Sequence, residues 1–96
     1  MKEYQIQHPT QPGRSAIYGW SPERGFYASR EDSDDHVKSR NLLTVLKAFV
    51  SWEFFEYADI QLAHKELVYL MPDEMDDPAL ATCAHLIVNL RRLANQ

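Results

Sequence analysis

Up to residue 31 apolar and polar side chains alternate, and from Arg40 the apolar ones recur every three to four positions instead. In KEYQIQH, Tyr4, Ile6 and His8 fall on one side and Gln5 and Gln7 on the other. That period of two marks a strand with one buried face. PTQPGR then places two prolines and a glycine within six residues, which ends the strand in a loop. SAIYGW and FYASRE are the next two β-type runs, joined by SPERG. In that turn Pro22 supplies the fixed φ suited to the second position, and Gly25 the freedom to take φ > 0. Residues 1–31 therefore read as a three-stranded antiparallel meander.

DSDDHVKS, from Asp32 to Ser39, is polar and acidic and reads as a connector. Leu42, Leu43, Leu46, Phe49 and Val50 then form one apolar stripe, predicting a helix from about Ser39 to Trp52 with Ser39 or Asp35 as cap. EFFEYAD breaks that helix with aromatics rather than glycine, so the next one is expected to start at once. Its stripe is Ile60, Ala63, Leu67 and Leu70, and Pro72 stops it. Asp77 before Pro78 is a carboxylate cap followed by proline at the first helical position. The third stripe is Leu80, Cys83, Ala84, Ile87, Leu90 and Leu93, ending near Ala94. Arg91 and Arg92 in the last turn suit the negative end of the helix dipole. The order is βββααα, which predicts an α+β fold with the helices of residues 39–95 on one face of the sheet. Ninety-six residues make a single domain, 1–96, with one core.

Charge narrows the function. The net charge is −4, and it is uneven. Residues 1–48 carry seven basic and six acidic side chains, while residues 49–96 carry three basic and eight acidic. Nucleic-acid binders draw most of their affinity from a basic face, and none is evident, so direct nucleic-acid binding is not expected. A basic protein partner fits better. No apolar run approaches the ~18 residues of a membrane span. MKEYQIQHPT has no apolar signal-peptide stretch, so a cytoplasmic chain beginning at Met1 is expected. Cys83 is the lone cysteine, which excludes an internal disulfide and a multi-cysteine zinc site.

No constellation specifies a reaction. His8, His36, His64 and His85 lack helical ligand spacing; His64 and His85 could meet only if the second and third helices pack antiparallel. EDSDDH resembles the start of a calcium loop, but the positions that need glycine and glutamate hold Val37 and Leu43. Cys83 lies on a buried stripe and His85 points about 200° away around the helix, so the two cannot form a nucleophile pair. The expectation is a non-enzymatic chain with no cofactor and no metal. Two surfaces remain. Glu53, Glu56 and Asp59, with Asp73 and Glu74 from PDEMDD, form a candidate acidic edge for a basic partner. The hairpin splits its aromatics between two faces: Tyr18 with Trp20 on one, Tyr27 with Ile17 on the other. A sheet covered on one side cannot bury both sets. Tyr18, Trp20 and Tyr27 beside Arg24 are therefore interface candidates, with a self-covered patch or a homodimer contact as the alternative.

HPTQPGRSAIYGWSPERGFYASRE, with the short acidic helical remainder, resembles the small proteins carried by phages and mobile elements, and among them the anti-CRISPR class. The class shares no motif, so the resemblance transfers no functional residue. It implies an inhibitor that binds a larger bacterial protein complex with a basic surface, a CRISPR effector, and blocks its DNA binding or activity. A net charge of −4 is modest for a DNA mimic. The other reading is a small homodimeric regulatory or antitoxin-like protein.

Overall fold

The computed structural model describes residues 3–66 and 75–95. Its elements are β1 (Glu3–Gln7), β2 (Ser15–Ser21), β3 (Gly25–Arg30), β4 (His36–Ser39), α1 (Leu42–Ser51), α2 (Tyr57–Glu66) and α3 (Pro78–Ala94). The strands form one antiparallel sheet in the order β1-β2-β3-β4. The α+β class and the strands-then-helices order are as expected, but the sheet has four strands rather than three. The extra strand falls in the stretch read as a connector. Arg30 N–H donates to the Asp35 carbonyl at 3.0 Å, so the ladder resumes after a five-residue turn. Only Val37, opposite Ala28, is apolar and half-buried in β4, and one apolar residue in four leaves no readable alternation.

The register puts Tyr4, Ile6, Ala16, Tyr18, Trp20, Phe26, Ala28 and Val37 on the face under the helices. Tyr18 is 3% exposed, and its hydroxyl accepts from Asn89 Nδ2 of α3 at 2.8 Å. Its ring meets Phe49 edge-on at 6.5 Å and stacks on Tyr4 at 5.5 Å. Tyr18 is therefore a core residue and not a surface for a partner. Its neighbour Trp20 shares the face and is half-buried.

The β2–β3 turn is tied from both sides. Ser21 Oγ accepts from Arg24 N–H at 3.1 Å, and the Arg40 guanidinium donates to the Pro22 and Glu23 carbonyls. Gly25 sits at φ +75°, and a Cβ there would lie 2.8 Å from the Ser39 carbonyl oxygen of β4. Both the conformation and the space require glycine. Gly25→Ala is expected to cost about 1–3 kcal/mol, from the left-handed backbone together with the steric clash. Gly13→Ala, at φ +87° with nothing within 4 Å, should cost less in the same chemical denaturation series.

α1 begins at Leu42, the first residue of its stripe and three residues after the expected start at Ser39. Its cap is Asn41, whose side chain accepts from Leu43 N–H at 3.0 Å. Neither expected cap is available: Ser39 is spent in β4 and Asp35 pairs with Arg30 at 3.2 Å. α1 ends at a corner of aromatics in which Phe54 N–H donates to the Phe49 carbonyl at 3.0 Å. Phe49, Trp52, Phe54 and Phe55 are all buried there. In α2, Ile60 and Ala63 are buried as the stripe requires; Leu67, Leu70 and Pro72 lie outside the described residues. α3 matches its expected start: Asp77 accepts from Ala79 and Leu80 N–H, and Pro78 opens the helix. The first turns of α2 and α3 line one cavity with Val50 of α1, and near their other ends Arg91 of α3 donates to His64 of α2 at 3.0 Å, so α3 runs in α2's sense. No helix among the described residues is long and apolar enough to cross a membrane.

Candidate functional site

Where the β1–β2 loop, the C-terminal corner of α1 and the first turns of α2 and α3 come together, they enclose an open cleft of about 580 Å³. Its apolar lining is Val50, Phe54, Phe55 and Tyr57, and its rim carries Glu53, Glu56, Asp59 and Asp77. The chain builds it from local chemistry. His8 continues the buried side of β1 and is fixed by both ring nitrogens. Nδ1 accepts from Thr10 and Gln11 N–H at 3.2 and 3.0 Å, so the proton sits on Nε2, which donates to the Glu53 carbonyl at 2.7 Å. The ring also packs on Phe54 at 5.0 Å. His8 thereby ties the sheet to the α1 corner.

Glu53 occupies φ 65°, among the described residues the one non-glycine with positive φ. Glycine would hold that turn without strain, so a glutamate there sets a carboxylate on the cleft rim against the backbone preference. Asp59 reaches back to accept from Glu56 N–H at 2.8 Å, which caps α2, and Asp77 caps α3. The caps account for Asp59 and Asp77 but leave Glu53 and Glu56 facing solvent. Ion pairs among the described residues join Arg14 to Asp32 and Arg30 to Asp32 and Asp35, so none engages a cleft carboxylate.

The other acidic cluster is different in kind. In EDSDDH the hydrogen bond from Arg30 holds the Asp32 carboxyl below its ordinary value, and Asp32 and Asp35 are both paired with arginine. Among the described residues no group of three or more histidine, cysteine or acidic side chains is placed to hold a metal.

The remaining chemistry-bearing groups are occupied elsewhere. Cys83 is fully buried, and burial first, then the charge of Asp59, pushes its thiol up to about 12. His64 does not meet His85, because α2 and α3 run in the same sense. Its Nδ1 instead accepts from Arg91 at 3.0 Å, and burial and then the Arg91 charge lower its pKa. His64 and Arg91 also line a second, apolar groove of about 370 Å³ with Leu42, Leu43, Leu46, Tyr57, Ile60 and Gln61.

On the open face of the sheet Tyr27 is only 5% exposed although no helix covers it. The Arg24 guanidinium lies 3.6 Å over its ring, and its hydroxyl donates to Glu3 at 3.0 Å. This local cover, with Glu3 as a lesser cause, raises the Tyr27 pKa. The hairpin candidates Trp20, Arg24 and Tyr27 therefore do not form one patch, since Trp20 lies on the helix-covered face and the other two cover each other on the opposite one.

The acidic candidates fare differently: Glu53, Glu56 and Asp59 share one rim, and Asp73 and Glu74 lie outside the described residues. Sequence reasoning read Asp77 as a cap alone and did not place His8 or Asp77 at this cleft. The DP pair marks a helix start, but only the packing of α3 beside α2 brings that start to Glu56. No protein-family model matches the chain, and neither curated proteins nor solved structures give a match.

Proposed function

We propose that the protein is a non-enzymatic binding module that docks its carboxylate-rimmed cleft on a basic surface of a larger protein complex and inhibits that complex. The observation that carries this reading is the convergence of Glu53, Glu56, Asp59 and Asp77 on one open rim with no ion pair among the described residues to neutralise them. Like charges gathered over an apolar floor raise the local potential and favour a lysine- or arginine-rich partner. Tyr57, 43% exposed at the same cleft, adds an aromatic of the kind that anchors interfaces. A binding role rather than turnover is supported by the state of the reactive groups: Cys83 is buried, both His8 nitrogens are engaged, and His64 is held by Arg91. The partner class that the sequence resemblance implies is a CRISPR effector, whose nucleic-acid path is basic.

The test is affinity capture from bacterial lysate with the intact chain, followed by mass spectrometry. A stoichiometric partner that elutes as salt is raised is the expected result. Capture of nothing stoichiometric, or of a partner that the double variant Glu53→Lys/Glu56→Lys still holds at wild-type strength, overturns the proposal.

A further inference from the structure

β1 ends the sheet, and of the described elements only β2 pairs with it. In an antiparallel ladder alternate residues turn their N–H and C=O groups to a given neighbour. His8 N–H donates to the Arg14 carbonyl at 2.8 Å, so the even residues Tyr4, Ile6 and His8 face β2. The donation of Glu31 N–H to the Ser15 carbonyl agrees, since it commits the odd residues of β2 to β3 and leaves its even ones for β1. The free edge therefore presents the backbone groups of Glu3, Gln5 and Gln7.

We propose that this edge joins two copies of the chain, their β1 strands pairing antiparallel about Gln5 into one continuous eight-stranded sheet. The register is self-complementary. Gln5 pairs with its own copy and Glu3 with Gln7 of the other chain, so outward donors meet outward acceptors at every position. On the helix-covered face Tyr4 meets Ile6, an apolar pair, and no like charges oppose each other.

Two of the usual defences of an edge strand, proline and lysine, are missing from β1, and Glu3 is the one charge on the strand. Its polar side chains lean inward over the sheet, Gln5 donating to Glu31 at 2.9 Å and Glu3 accepting from Tyr27 at 3.0 Å. The opposite edge differs. β4 is four residues long, and pairing it with a copy about Val37 would set His36 against Lys38. The two-fold axis is perpendicular to the sheet, so both helical layers lie on the same side. Because the strands run oppositely, the acidic clefts beyond the two His8 ends lie at opposite ends of the dimer. Pairing of the β1 edges is independent of whether those clefts bind a basic partner.

A five-residue edge makes a small interface, so the dimer is expected to be concentration-dependent, with sedimentation velocity showing it between about 1 and 500 µM. Gln5→Pro removes a backbone donor that the monomer's sheet does not use, and edge strands tolerate proline. It should weaken the dimer about tenfold or more by losing two main-chain hydrogen bonds. Gln7 gives a register-specific check that leaves the backbone intact. Gln7→Lys, facing Glu3 of the other copy, should tighten the dimer several-fold, and Gln7→Glu should weaken it by a similar factor. A wild-type chain that stays monomeric throughout the range overturns the proposal. So does a dimer that responds alike to Gln7→Lys and Gln7→Glu, whatever the fate of the proline variant.

Discussion

Phe49→Ala is expected to destabilise the domain by about 3–5 kcal/mol, the usual cost of removing a buried phenylalanine ring. Phe49 is fully buried, and its ring is where the sheet, α1 and the aromatic corner meet. It packs edge-on against Trp52 at 5.1 Å and Phe54 at 5.3 Å, lies parallel to Phe55 at 6.1 Å, and meets Tyr18 of β2. These neighbours are rigid rings held in β2 and in the corner between α1 and α2, so they cannot collapse into the space as aliphatic chains would. Domains of this size have about 5–15 kcal/mol of total stability, so the loss is a large share of it. Urea denaturation of both proteins measures it as a shift of the midpoint with an unchanged slope. Leu62→Ala, at a residue 44% exposed on α2, should stay within about 0.5 kcal/mol of the parent. A cost below about 1 kcal/mol at Phe49 would mean that the aromatic corner does not hold the sheet to the helices.

Much of this hub was legible. Phe49 lies on the first helical stripe, and the alternation of β1 and β2 marks Tyr18 as belonging to one face. What alternation cannot give is which face the helices cover. That depends on the direction in which the chain leaves the sheet, and the sequence hides it because β4 follows a polar turn with a single apolar residue, Val37. The added strand moved the start of α1 from Ser39 to Leu42 and its cap to Asn41. α3 was readable to the residue at its start because Asp77 and Pro78 act locally, through a carboxylate and a fixed φ. The acidic cleft is the opposite case. Glu53, Glu56 and Asp59 are close in sequence and were legible as an edge, but Asp77 and His8 reach them only through tertiary packing. The cover of Tyr27 by Arg24 was equally invisible, since a hairpin pattern gives side-chain direction but not what folds over it.

Reversing Glu53 and Glu56 to lysine is expected to weaken partner binding at least thirtyfold, while the fold stays intact because both side chains are exposed. The rim loses two negative charges and gains two positive ones, and against a basic surface each reversal turns an attraction into a repulsion. The effect should fall mainly on the association rate, as rim charges act by steering, and should shrink as salt shortens the screening length. Wild-type binding is therefore expected to weaken with ionic strength and binding by the double variant to change little. Glu53→Gly separates charge from conformation. Glycine adopts the φ 65° that Glu53 now holds against preference, so stability should remain within about 1 kcal/mol of wild type while one rim charge is lost. If Glu53→Gly binds as well as wild type, Glu53 serves the turn and not the partner. If it weakens binding by several-fold at unchanged stability, the cost of placing a glutamate at that φ is explained by what its carboxylate touches outside the chain.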